Sequence, residues 1–270
     1  MTIKLIATDM DGTLLGTDNN VSRVNREAIM AAKAAGIHVV LCTGRPLPGI
    51  ATYLNPLGMT TDTDYAIAYN GALVQTCASG TVLLQHELAL SDYARFYDIS
   101  QRLRVDVHAE DDDMLYAGQS PTSERTRTEA RLTFIKLAVR TPDDFARDKR
   151  FAKVMFIDAP NKIDQLQAYL GEAIRSEYTI VQSEPYFLEI LNQKASKGNA
   201  LAGLAATLHI QPDEVMVLGD QANDLSMFDY AGTGIAMGNA IPTVKARATA
   251  VTGTNDEDGV AQAIERYALR

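Results

Sequence analysis

Disulfide chemistry has almost nothing to work with in this chain. Its 270 residues contain two cysteines, Cys42 and Cys77, too few for a covalent scaffold and without the spacing of a zinc site. Both read as small buried hydrophobes in a reducing compartment. Long apolar runs are missing too. The first residues, Met1-Thr2-Ile3-Lys4-Leu5-Ile6-Ala7, meet charged Asp9 almost at once. No signal-peptide core and no span of about 20 apolar residues can be laid out, so a soluble cytoplasmic protein with no membrane partner is expected. Basic clusters are absent: 25 Lys and Arg against 34 Asp and Glu give a formal charge of −9. That is the wrong sign for a nucleic-acid backbone, and no nucleic-acid partner is expected. What remains is an ordinary globular composition, 46% hydrophobic and 22% charged, in a chain long enough to bury a core without staples.

Short apolar runs alternate with helical patterns, the signature of βα units and a parallel sheet. Residues 3–7, 38–41 and 65–69 read as strands. Ser22 caps a helix with a stripe of Val24, Ala28, Ala31, Ala32 and Ala35 that Gly36 ends, and a second helix starts near Pro46. Asn70-Gly71 and Ser79-Gly80 mark hairpins. Residues 84–192 then carry a separate mixture, with strands near 105–109, 114–117, 133–139, 151–157, 178–181 and 187–191 and helices after Ser91 and over 162–175. The run Glu110-Asp111-Asp112-Asp113 is expected in an exposed turn. From Ser196 the alternation resumes: a helix after Lys197, a strand at 215–218, a helix through 225–230, a short strand at 235–237 and a final helix. Residues 1–83 and 193–270 are therefore expected to form one doubly wound α/β domain with a parallel sheet, and 84–192 an inserted α+β domain.

In an open parallel sheet, ligands sit beyond the carboxyl ends of the strands. The segments expected there are Thr8-Asp9-Met10-Asp11-Gly12-Thr13, Cys42-Thr43-Gly44-Arg45, Asn70-Gly71, Ser196-Lys197-Gly198 and Gly219-Asp220-Gln221-Ala222-Asn223-Asp224. Asp9, Asp11, Asp220 and Asp224 would bring up to four negative charges into one crevice, and charges that close require a cation or raised pKa values. Oxygen ligands with almost no nearby His or Cys select a hard ion, Mg²⁺. Together with Lys197 and the amides at Thr43-Gly44, that ion can neutralise a bound phosphate. Two carboxylates at i and i+2 admit distinct duties: one can attack phosphorus, giving an aspartyl-phosphate, while the other, carrying a proton, can serve the leaving oxygen and then water.

Asp9-Met10-Asp11-Gly12-Thr13, Thr43-Gly44-Arg45, Lys197-Gly198 and Gly219-Asp220 through Asn223-Asp224 resemble, in order and separation, the four motifs of the haloacid dehalogenase superfamily. The insert resembles the α/β cap of its Cof-type phosphatases, and the match over the whole chain is closest to bacterial sugar phosphatases. The resemblance implies that Asp9 is the nucleophile and a Mg²⁺ ligand, and that Asp11 is the general acid/base with its backbone carbonyl on the metal. It implies that Met10, Thr43, Gly44 and Asn223 bind the phosphoryl group and that Lys197 bridges Asp9 and phosphate. Asp220 and Asp224 would hold the metal. Function follows as Mg²⁺-dependent hydrolysis of small phosphorylated metabolites, sugar phosphates foremost, under a lid that bars protein substrates.

Rival readings are a sugar phosphomutase passing its phosphoaspartate to another hydroxyl, a signalling receiver that keeps the phosphoryl group, and a metal-independent dehalogenase. Weaker site candidates are Asn70-Gly71 at the pocket edge, Arg45, which a salt bridge explains better, and Glu189 and Asn192, where packing or hinge duty competes with sugar contact. His38, His86, His108 and His209 lack partners at ligand spacing and read as structural or exposed.

Overall fold

The computed structural model describes residues 2–269; residues 1 and 270, the outer ends of the two expected core segments, lie outside the described residues. The chain divides into two compact units, one of Met1–Gly44, Ala51–Gln85 and Ser196–Arg270, the other of Arg45–Ile50 and His86–Ala195.

The first unit is built on an eight-stranded sheet. From one edge its strands are Ala250–Val251, Thr233–Ala236, Val215–Gly219, Leu5–Thr8, His38–Cys42, Tyr65–Ala68, Leu73–Thr76 and Val82–Gln85. The first six run parallel, and the hairpins at Asn70-Gly71 and Ser79-Gly80 add the last two antiparallel. Parallel strands covered on both faces need continuous apolar sequence rather than alternation. Leu5–Thr8 and Val215–Gly219 meet this: every residue of both is buried. Each fully buried Leu, Ile or Val side chain contributes about 1.5–3 kcal/mol.

The central strand Leu5–Thr8 pairs on one side with His38–Cys42 and on the other with Val215–Gly219. Strand order therefore reverses at this strand, and its carboxyl end is the switch point at which an open α/β sheet forms its crevice. Flanking helices are fixed by their caps. Ser22 accepts from the Asn25 amide at 3.0 Å to start Arg23–Ala34, and Ser196 accepts from the Asn199 amide at 3.1 Å to start Lys197–Thr207. Each cap satisfies a donor the helix itself cannot. The second one sets Lys197 in the first turn of its helix.

The second unit carries a six-stranded sheet in the order Tyr178–Glu184, Phe187–Asn192, Lys153–Ile157, Val107–Glu110, Met114–Ala117 and Lys136–Val139. Neighbours are antiparallel except for the last, parallel pair. One face packs an aromatic core of Tyr93, Phe96, Phe151, Phe156 and Tyr178, with rings edge-on at centroid distances of 5.0–6.1 Å in the Phe96–Tyr178, Tyr93–Phe151 and Phe96–Phe156 pairs.

Here the structure departs from the expectations in four places. The helix expected over 162–175 is two, Pro160–Tyr169 and Glu172–Glu177, broken at Leu170-Gly171. The strand expected over 133–139 is Lys136–Val139, because Phe134 turns with φ +57° ahead of it. An unexpected helix, Glu124–Leu132, buries only Thr126 and Ala130 and so shows no apolar stripe. Glu110 is not in an exposed turn: it ends the strand Val107–Glu110 and is buried, opposite Lys153.

No helix among the described residues is long and apolar enough to cross a membrane.

Candidate active site

Three loops and one helix start of the first unit meet at the carboxyl end of its sheet. Asp9 follows the central strand directly, and its amide continues the ladder by donating to the Leu218 carbonyl at 3.0 Å. Asp220 follows the neighbouring strand Val215–Gly219, and Asp224 closes the short 3₁₀ turn Ala222–Asp224. Thr43 and Gly44 follow His38–Cys42. Lys197 reaches in from its capped helix.

The side chains converge closely. Lys197 Nζ donates to Asp9 Oδ1 at 2.5 Å and to Asp224 Oδ1 at 2.7 Å, with the lysine side chain wholly buried. Asp224 Oδ2 accepts from the amides of Asp220 at 2.8 Å and Gln221 at 3.1 Å, so Asp224 ties the lysine to the loop that carries Asp220. Carboxylate oxygens of Asp9, Asp220 and Asp224 lie within 4.8 Å of one another, and all three residues are buried. With all three ionised, one ammonium leaves two negative charges uncompensated in a low-dielectric site. Titration reflects this. Burial, reinforced by Asp224, Asp220 and Asp11 against the opposing pull of Lys197, holds the Asp9 carboxyl well above the ordinary carboxylate range. Burial and the neighbouring Asp224 push Asp220 up to about 6. Lys197 moves the opposite way: burial alone would lower its pKa, but Asp224 and Asp9 raise it, and it stays charged.

An all-oxygen donor set of three converging buried carboxylates with surplus negative charge fits a hard divalent cation. Gly12, at φ +75°, makes room for it: a Cβ there would stand 2.6 Å from Asp220 Oδ2, so any side chain would push the carboxylate aside.

The other expected residues fall as follows. Met10 and Thr43 are buried, Gly44 and Asn223 half-buried, and the Asp11 side chain is exposed, outside the three-carboxylate group. Asn70 is buried, and its Oδ1 accepts from Asn223 Nδ2 at 3.0 Å. In the second unit, Arg45 Nη1 donates to the Gly49 carbonyl at 3.4 Å. Glu189 is paired with buried Lys153 at 3.3 Å, and Asn192 Nδ2 straps the Glu87 carbonyl at 2.9 Å. Histidine enters no cluster of this kind. His108 is buried with its Nε2 3.1 Å from Glu110 Oε1.

Three supporting contacts escaped the sequence. Thr13 Oγ1 donates to Asp220 Oδ1 at 2.9 Å and Gln221 Nε2 to Asp220 Oδ2 at 3.1 Å, which together fix both oxygens of that carboxylate. Asn239 Nδ2 donates to the Gly12 carbonyl at 2.7 Å. Thr13 and Gln221 sit inside the motifs, where a hydroxyl or amide beside a carboxylate is a usable signal; Asn239 comes from a loop with none.

Comparison with known proteins gives consistent relatives. Residues 6–264 match the family of haloacid dehalogenase-like hydrolases. The chain is 44% identical to a putative phosphatase of Bacillus subtilis, YxeH, with 98% of each covered. It is 31% identical to the 5-amino-6-(5-phospho-D-ribitylamino)uracil phosphatase YwtE of the same organism, again with 98% of each covered. Among solved structures, a haloacid dehalogenase-like hydrolase from Bacteroides thetaiotaomicron superposes with a TM-score of 0.88 at 31% identity, covering 98% of this chain and 99% of that one.

Proposed function

The chain belongs to the haloacid dehalogenase-like hydrolases, and from that premise we propose that it is a Mg²⁺-dependent phosphomonoesterase for small phosphorylated sugars and sugar alcohols, working through an aspartyl-phosphate on Asp9. That it is a phosphatase of this superfamily follows from its relatives. The observation that carries the chemical reading is the convergence of three buried carboxylates on one buried lysine at the sheet's switch point.

In this reading Asp9 attacks the ester phosphorus, an Asp9 oxygen–phosphorus bond forms, and the bond to the leaving oxygen breaks. Asp11, two residues on, gives its proton to that oxygen and the alcohol departs. Asp11, now a carboxylate, takes a proton from water as the water oxygen attacks the same phosphorus. The bond to Asp9 breaks, inorganic phosphate leaves, and both aspartates return to their starting states. Lys197 holds the Asp9 carboxylate in its attacking orientation and offers its charge to the phosphoryl oxygens. The amides of Met10 and Gly44, the Thr43 hydroxyl and the Asn223 amide group bind those oxygens. Asp9, Asp220, Asp224 and the Asp11 carbonyl are the groups that would hold Mg²⁺, which when bound supplies positive charge to keep the carboxylates ionised and to offset the phosphate dianion.

The polyol part of the proposal has support from three relatives, whose named substrate bears its phosphate on a ribityl chain. Residues 84–192 are read as a module inserted into the catalytic core formed by 1–83 and 193–270. The test is hydrolysis of a panel of sugar phosphates, sugar-alcohol phosphates and nucleotides, with and without Mg²⁺. Phosphate release from polyol esters, lost on chelation, is expected; activity that survives chelation, or is confined to nucleotides, overturns this reading.

A further inference from the structure

The turn between the strands Tyr65–Ala68 and Leu73–Thr76 is more elaborate than a hairpin requires. Tyr69, Asn70 and Gly71 are successively left-handed, with φ of +51°, +52° and +93°. A bulky L-residue rarely adopts that conformation, and two non-glycine residues in a row persist there only when surrounding contacts enforce it. Those contacts reach three parts of the phosphoryl-binding machinery. The Asn70 amide donates to the Thr43 carbonyl at 2.9 Å. The Asn70 side-chain amide lies against Gly44, where a Cβ would stand 3.0 Å from Nδ2 and 3.2 Å from Oδ1. Its Oδ1 accepts from Asn223 Nδ2 at 3.0 Å. Next to it, Gly71 abuts the Lys197 helix so tightly that a Cβ would fall 2.1 Å from the Ser196 carbonyl oxygen.

We propose that Asn70 is a positioning residue for phosphoryl binding: its side-chain carbonyl orients the Asn223 amide while its main chain pins Thr43. This rests on the phosphatase reading of the site. Asparagine's tolerance of the left-handed region accounts for its backbone. It does not account for a buried side chain committed to a partner 153 residues away. An amide nitrogen carries two donors. With one held by Asn70, the Asn223 group can turn only so that the other serves a phosphoryl oxygen. Without Asn70 the amide rotates, and binding rather than chemistry suffers.

The experiment compares wild type, Asn70→Gly, Asn223→Ala and the double variant, with Mg²⁺ present. Calorimetry reads inorganic phosphate affinity, and steady-state kinetics are followed on p-nitrophenyl phosphate. Glycine keeps the left-handed backbone and removes the amide group. Asn70→Gly is expected to weaken phosphate binding and raise KM about tenfold, the effect of one lost hydrogen bond, with kcat within about threefold. In the Asn223→Ala background the same change is expected to add less than about twofold, because the partner is already gone. Unchanged phosphate affinity in Asn70→Gly overturns the proposal, with or without a lower thermal midpoint, and so does a full tenfold loss in the Asn223→Ala background. A wild type that neither binds phosphate nor hydrolyses the ester instead overturns the reading of the site on which the proposal rests.

Discussion

Each unit of the molecule buries a lysine between two carboxylates. In the first, Lys197 stands 2.5 and 2.7 Å from Asp9 and Asp224; in the second, Lys153 stands 3.3 and 3.6 Å from Glu189 and Glu110. Both lysines carry pKa values raised by their partners in spite of burial. The carboxylates respond in opposite directions. Asp9 is pushed up by burial and by Asp224, Asp220 and Asp11, and Asp220 by burial and by Asp224. Burial would also raise Glu110, but Lys153 and His108 outweigh it and hold its pKa below the ordinary value. Location differs as well. Lys153, Glu110 and Glu189 come from the strands Lys153–Ile157, Val107–Glu110 and Phe187–Asn192 of one sheet, whereas Asp9, Asp220 and Asp224 occupy loops at strand ends. Among the described residues only the latter bring three carboxylate oxygens within 4.8 Å of one another. The second cluster pairs its charges within a sheet, whereas the first crowds three carboxylates around one lysine at strand ends, the kind of site that perturbed pKa values accompany.

That contrast is exposed to direct attack. The largest effect should come from Asp9→Asn, which removes the attacking oxygen's charge: turnover of p-nitrophenyl phosphate should fall about 10⁴-fold or more, with the circular dichroism spectrum intact. Substantial residual hydrolysis would make the first cluster as structural as the second. Lys197→Met should cost at least about 100-fold in turnover, and because it strands Asp9 and Asp224 it should also lower stability by about 3–5 kcal/mol, read by denaturant unfolding.

Lys153→Met should show the stability loss without the catalytic one. Removing the cation leaves buried Glu110 and Glu189 without the lysine's charge, a penalty of about 3–5 kcal/mol, while kcat measured where the variant is folded should stay within about threefold. Adding Glu110→Gln and Glu189→Gln should recover most of that stability. Lost turnover with unchanged stability in Lys153→Met would erase the distinction drawn here.

The smallest effect concerns acid. Glu110 has a folded pKa below its ordinary value of 4.5, so the unfolded state binds its proton more readily. Its contribution is complete above that value and is lost as pH falls through the lower, folded one. The aromatic circular dichroism of the second unit should therefore persist to lower pH in the wild type than in Lys153→Met, and loss at the same pH in both would contradict this.

Residues that act through their immediate sequence neighbours were legible. Asp9, Thr43 and Asp220 each follow an apolar run whose burial is continuous, so strand, strand end and chemistry are read together. The helix after Lys197 was likewise legible, from its apolar periodicity. Contacts made across the chain were not. Glu110 resembled part of an exposed acidic run because its partner Lys153 is 43 residues on. Asn70 looked like half of a turn dipeptide because its bond to Asn223 spans 153 residues. Helix Glu124–Leu132 escaped for a different reason: with two buried residues, its periodicity is too weak to register.

The pairing of Leu5–Thr8 with Val215–Gly219 has a consequence in time. At about 5–20 residues per second, a ribosome that has delivered the first strand needs about 10–40 s more to deliver its neighbour. Throughout that interval the nascent chain holds Asp9 without Asp220, and for most of it without Lys197. Residues 86–195 have all been synthesised by then, so the sheet they form can close before the strands Val215–Gly219 and Thr233–Ala236 of the first unit are in place. A chain truncated before Val215 should accordingly be inert however well its middle has folded.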